Sequence, residues 1–221
     1  MKVITDQKPF EEVQTLLGGK EKVYLIGCGT CATMCHTGGR EEVLEMKGRL
    51  TEAGKEITGW MVIPTPCDEL AEEALKEFRA QVGEADAILV MVCAFGVQNI
   101  VRYSPGKPVY PALNTLFIGL EEEPGRFVEL CSQCGDCVLG RMASICPLTQ
   151  CPKGFLNGPC GGTTKDGRCE VDPERDCAWV MIYERLKELG ELDKLEEIRE
   201  PKDWSKMQRP RKFEVAPLGL G

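Results

Sequence analysis

The chain has 221 residues, 43% of them apolar, and carries a net charge of −8 with a pI near 5.0. That length holds one full α/β domain and a smaller appendage, and the acidic balance excludes nucleic acid and anionic membrane, which are reached through basic surface. No run of about 18 apolar residues occurs, so no membrane insertion is expected, and the opening MKVITDQKPFEEV lacks a secretory pattern, so a cytoplasmic location is expected.

In chain order, residues 8–19 predict a short amphipathic helix closed by Gly18 and Gly19. Residues 23–27 (VYLIG) form a compact apolar run of buried-strand type, ending in CGTCATMC from Cys28 to Cys35. Gly38 and Gly39 then open a helix through about Ala53. Residues 60–64 (WMVIP) predict a second strand, turning at Pro64, Thr65, Pro66 and Cys67. A helix is expected over 68–81, with Leu70, Ala74, Leu75 and Phe78 on one face. Residues 87–92 (AILVMV) predict a third strand that runs into Cys93, followed by a helix near 96–103 and a strand at 115–119 (TLFIG). Continuous apolar strands alternating with helices mean a parallel sheet covered on both faces, of flavodoxin-like or Rossmann-like topology. Gly27, Cys28 and Gly29 do not make a dinucleotide fingerprint, because the G-x-G-x-x-G spacing fails.

Residues 1–122 are thus expected to be the α/β domain, with EEEPG (121–125) as linker. Residues 123–200 form a cysteine-rich, ligand-stabilised domain, since so many Gly and Pro residues cannot bury enough apolar surface to fold unaided. Its closing helix is expected to start at Asp172 and Pro173, present Ala178, Ile182, Leu186 and Leu189, and stop at Gly190. Residues 201–221 read as an extended arm, with Trp204 and a basic Arg209, Pro210, Arg211, Lys212 run. Its apolar residues lack a local core, so the arm from Trp204 onward is expected to wrap a partner.

Thirteen cysteines against one histidine, many of them two residues apart, point to thiolate ligation of metal or clusters rather than to disulfides. In a parallel sheet, the C-terminal strand ends lie along one edge where ligands bind. Cys28 and Cys31 follow the first predicted strand, Cys67 the second and Cys93 the third, so the four could hold a [4Fe–4S] cluster. Cys35 competes with Cys31, which is preferred because C-x2-C puts both thiolates on one tight turn. The competing reading makes Cys67 and Cys93 ordinary buried cysteines, and leaves His36 at the surface.

Residues 131–177 hold the other eight candidates. Cys131, Cys134 and Cys137 stand at C-x2-C-x2-C spacing, and Cys146 precedes a proline. By ferredoxin logic the first three share a cluster with a remote cysteine, either Cys169 or Cys177. Cys146, Cys151, Cys160 and the remaining one form a second site, although Cys146 comes after eight residues and not three. Two clusters, or one cluster and one structural zinc, both fit the spacing, giving two or three [4Fe–4S] clusters in the chain. The carboxylates sit at solvated-face spacing and no nucleophile–base pair stands out, so the expected role is electron relay rather than independent catalysis.

Finally, CPLTQCPKGFLNGPCGG, GRCEV, CAW and PKDWS resemble the C-terminal cysteine-rich family of methylenetetrahydrofolate reductases. Together with GCGTCATMCHTGG, they make nearly the full chain similar to MetV, the small iron–sulfur subunits of MetVF-type reductases. The resemblance implies a flavin-carrying catalytic partner that reduces methylene- to methyl-tetrahydrofolate in the Wood–Ljungdahl pathway. It implies ferredoxin or a larger electron-transfer complex as donor, and places the flavin and folate residues on the partner. The competing class is a scaffold, stabilised by zinc or clusters, that docks a flavoenzyme without carrying electrons.

Overall fold

The computed structural model describes residues 2–104, 106–198 and 200–214, and the chain divides after Val128 into two units. The first unit opens with β1 (Lys2–Gln7), α1 (Phe10–Leu16), β2 (Lys22–Cys28) and α2 (Cys31–Met34). Next come α3 (Arg40–Glu52), β3 (Glu56–Ile63), α4 (Leu70–Glu77), α5 (Arg79–Glu84) and β4 (Ala87–Met91). It ends with α6 (Ala94–Tyr103), β5 (Val109–Pro111), β6 (Leu113–Glu123) and β7 (Arg126–Val128).

The core is a parallel sheet in the order β3-β2-β4-β5. Helices cover both faces of such a sheet, which is why β2 and β4 are apolar at successive positions rather than alternating. Tyr24, Leu25, Ile26, Ile88, Leu89, Val90 and Met91 are all fully buried there. Val43, Met46 and Leu50 recur at helical spacing on α3 and join Val13, Leu17 and Ile100 in the same core. From β2 the chain steps outward to β3 on one side, then crosses to β4 on the other. The strand order therefore reverses between β2 and β4, and in doubly wound sheets ligands bind at that switch point. The class is α/β, as the apolar runs predict.

Several details differ from the sequence reading. Residues 115–119 belong to β6, which leaves the parallel sheet and pairs antiparallel with β1 in a second sheet of order β1-β6-β7. Leu116 and Leu120 are about half exposed, so this run does not have the buried surroundings of a parallel strand. β5 takes the fourth parallel position instead. The expected linker is the turn of the β6–β7 hairpin, where Pro124 and Gly125 reverse the chain. The expected helix over 68–81 breaks at Phe78 into α4 and α5.

The second unit has little regular structure: a 3₁₀ turn (Leu139–Arg141), α7 (Pro147–Gln150), α8 (Ala178–Leu189) and two later 3₁₀ turns, Leu192–Leu195 and Trp204–Met207. Its core is small, with Met142, Ala143, Trp179, Ile182 and Leu186 buried together. The Trp179 indole N–H donates to the Phe155 carbonyl at 3.0 Å. α8 starts five residues later than Pro173 suggests. Asp172 instead caps a turn, accepting the Glu174 N–H at 3.2 Å. Cys169 N–H to Arg175 O and Cys177 N–H to Gly167 O, both 2.9 Å, then draw the strand-like bridge Arg168–Asp176 together.

Candidate metal centres

The parallel sheet delivers four thiols to its C-terminal edge. Cys28 is the last residue of β2, Cys31 the first of α2, Cys67 follows β3, and Cys93 is the N-cap of α6 just past β4. Cys28 and Cys93 are buried, while Cys31 is half-buried and Cys67 exposed. Even so, crowding by surrounding atoms is the largest cause pushing the Cys67 thiol above its ordinary value, and the neighbouring Cys93, Asp68 and Cys28 push the same way. Burial likewise raises Cys93 against the pull of the Gly96 and Phe95 N–H groups, and Cys28 and Cys31 add to the rise. Cys67 thus feels Cys93 and Cys28, and Cys93 feels Cys28 and Cys31.

Backbone contacts hold these loops. The Cys28 N–H donates to the Gly38 carbonyl at 2.9 Å, and the Gly29 N–H to Ile63 O at 2.8 Å. The Asn99 side-chain amide donates to Pro66 O at 3.1 Å and to Asp68 O at 2.7 Å, fixing the Cys67 turn on α6. A Cβ on Gly38 would lie 2.0 Å from the Met91 carbonyl oxygen, so only glycine lets the loop after α2 approach β4. Cys35 points elsewhere, its Sγ 4.0 Å from the Val3 carbonyl of β1. His36 is exposed, with Nδ1 3.8 Å from the Glu42 carboxylate.

In the second unit, Cys151, Cys160, Cys169 and Cys177 line one small cavity of about 10 Å³. Donors reach two of these sulfurs: Gly162 N–H to Cys160 at 3.4 Å, and Thr163 Oγ1 to Cys177 at 3.2 Å. Burial raises the Cys177 thiol, but the Thr163 hydroxyl and the Val180 and Trp179 N–H groups outweigh it and hold the thiol below its ordinary value. Spacing alone leaves Cys169 and Cys177 as alternatives for the remote partner of the first three cysteines; here both line the same cavity as Cys151 and Cys160. The bridge that brings them there is held by backbone hydrogen bonds, which leave no mark in a spacing pattern.

Cys131, Cys134 and Cys137 lie on a loop with Gln133 at φ 53° and Gly135 at φ 83°. The Gln133 N–H donates to Cys131 Sγ at 3.4 Å. Burial raises the Cys134 thiol, yet a backbone hydrogen bond from Asp136 and the Lys202 ammonium hold it below its usual value. Cys146 caps α7, ahead of Pro147 at its first position. α7 is fastened near the start of the unit by Thr149 Oγ1 to Leu130 O at 3.0 Å and the Gln150 amide to Glu129 O at 3.2 Å.

None of the thirteen cysteines is in a disulfide, and among the described residues no group of three or more His, Cys, Asp or Glu is arranged to hold a single metal ion. A cluster spreads its ligands over several irons and so needs them less tightly converged than one ion does. Burial and the neighbouring thiols raise Cys67 and Cys93, so ionising them there is costly unless a cationic group takes up the charge. Thiolate-rich loops with N–H groups aimed at sulfur suit iron–sulfur clusters on the same ground.

The fold and these loops define an α/β protein with thiol-lined sites in both units. Residues 110–205, just under half of the chain, match the family described as methylene-tetrahydrofolate reductase C terminal, so this segment is similar to that family. Curated proteins gave no match. One solved structure is similar in part: a LacI family transcriptional regulator from Arthrobacter sp. FB24 in complex with lactose, 16% identical, with a TM-score of 0.35 over 45% of this chain and 39% of that one. Among the described residues no helix is long and apolar enough to cross a membrane.

Proposed function

We propose that the chain is the iron–sulfur, electron-relaying subunit of a cytoplasmic methylenetetrahydrofolate reductase of the MetV type. Cys28, Cys31, Cys67 and Cys93 would hold one [4Fe–4S] cluster. Cys151, Cys160, Cys169 and Cys177 would form a second ligand set around their shared cavity, and Cys131, Cys134, Cys137 and Cys146 a third. One of the last two sets takes a cluster, and the other a cluster or a structural zinc. When bound, such clusters supply one-electron transfer. The chain's own residues bind them through thiolates, direct N–H groups at the sulfurs and bury Cys28 and Cys93 from water. The partner is a flavin-carrying catalytic subunit that reduces methylene-tetrahydrofolate, and ferredoxin or a larger electron-transfer complex is the donor.

The gathering of four thiols at the switch point between β2 and β4 carries the redox part of this reading. The match of residues 110–205 supports the link to the reductase. The test is reduction of the partner's flavin by reduced ferredoxin, with and without this chain. Faster reduction with the chain is expected, and equal rates would defeat the relay. Anaerobic assay of iron, zinc and acid-labile sulfide should give about 8–12 iron atoms per chain, the content of two or three cubanes.

A further inference from the structure

The described part of the arm does not extend away from its unit. It folds back over the loop that carries Cys131, Cys134 and Cys137. Lys202, its side chain only 4% exposed, lies 3.7 Å from the Asp136 carboxylate and also donates to the Asp136 carbonyl oxygen. The Asp203 N–H donates to Asp136 Oδ2 at 3.2 Å, and Lys206 stands 3.7 Å from Oδ1 of the same carboxylate. Further along, the Arg211 guanidinium donates to Gln133 O at 2.8 Å and Lys206 O at 3.1 Å. A Cβ at Gly135 would lie 2.9 Å from Lys206 Cβ and 3.1 Å from Lys206 O, so the arm packs directly on the loop's glycine.

A lysine is seldom buried unless it compensates negative charge. Two carboxylates, Asp136 and Asp203 (3.8 Å from Lys206), stand against the three cations Lys202, Lys206 and Arg211 collected here. The loop they cover adds three cysteines, which become anionic when they ligate. We infer that residues 202–211 are a cationic strap that locks the Cys131, Cys134 and Cys137 loop, with Lys202 as the positioning residue whose buried charge offsets the thiolates and raises the potential of the group they hold. This rests on reading that loop as part of the ligand set of a cluster and not of a zinc ion. A positive charge within a few ångströms, shielded from water, favours the more negative reduced state of any redox group beside it.

The experiment uses the full chain, purified anaerobically as wild type, Lys202→Met, Lys202→Arg, Cys134→Ala and, as a control for lost charge elsewhere, Lys187→Met. Iron content, EPR-monitored midpoint potentials and amide exchange over residues 131–137 are measured on each. Lys202→Met should lower the equilibrium constant for reduction of one cluster roughly tenfold, which is about 59 mV for one electron. It should also speed amide exchange in the loop at least tenfold. Lys202→Arg should restore most of both, and Lys187→Met should change neither. Unchanged exchange and unchanged potentials in Lys202→Met overturn the strap. Iron content that does not fall in Cys134→Ala overturns the ligand reading and the electrostatic half with it, and the exchange rates then uphold or overturn the mechanical half by themselves.

Discussion

Cys93 and Cys177 occupy the same station on two different helices: each is the N-cap residue, where the N–H groups of the second and third residues of the helix that follows favour its thiolate without closing a side-chain cap. The outcomes are opposite. Burial among other thiols pushes Cys93 up, whereas the Thr163 hydroxyl tips the balance at Cys177 and brings it down. The thiolate is the reactive form, so in metal-free chain at neutral pH Cys177 should alkylate faster than Cys93 by about an order of magnitude or more. Residue-resolved mass spectrometry after timed iodoacetamide exposure measures this, and Cys93 reacting first would contradict it.

Replacing Cys67 by alanine removes one of the four thiols at the sheet edge while leaving an exposed turn that Asn99 still holds. The expected result is loss of about four irons per chain, with the first unit still folded by circular dichroism. An unchanged iron count would remove this site.

Gly38→Ala should destabilise the first unit by about 1–3 kcal/mol or more, because its Cβ collides with backbone on β4 and not with a flexible side chain. Urea unfolding monitored through Trp60 measures it. Gly48→Ala, at a helical glycine with open space around it, is the control and should be neutral or stabilising.

Asp86 accepts the backbone N–H groups of Lys22 at 2.9 Å and Glu21 at 3.0 Å, at the start of β2. The Lys22 and Glu21 hydrogen bonds hold its carboxyl below the ordinary value, against a small opposing effect of burial. Because the folded value is the lower one, the stabilisation is fully present above the ordinary aspartate value near 4 and is lost as pH falls through the folded value. Wild type should therefore unfold at a higher urea midpoint than Asp86→Asn at pH 7, and the gap should close as pH drops below about 4. A gap that persists at pH 2 would refute this account.

How much of this could be read from residues alone depends on how local the cause is. The strands ending at Cys28 and preceding Cys93 are legible, because strands buried on both faces are apolar without interruption. β1 is not. Its KVITDQ has few apolar residues, and one of its buried contacts is a hydroxyl pair, Thr5 Oγ1 to Thr37 Oγ1 at 2.6 Å. The grouping of Cys151, Cys160, Cys169 and Cys177 depends on backbone hydrogen bonds across residues 164–177, and spacing records nothing of those. The apolar residues from Trp204 onward lack a local core in the sequence, which predicts an arm that wraps a partner. Lys202 and Lys206 find a counter-charge in Asp136 of the chain's own loop, Arg211 donates to the Gln133 carbonyl there, and residues 215–221 lie outside the described residues.

The strap also sets an order of events during synthesis. Lys202 lies 66 positions after Asp136, so the ribosome completes the cysteine loop well before it makes the lysine that covers it. At usual elongation rates that interval lasts roughly 3–13 seconds. During it the thiols of Cys131, Cys134 and Cys137 are already made and nothing yet screens their charge. A delivery factor would meet an open, negatively charged loop on the nascent chain, whereas on the finished chain it would first have to displace the arm.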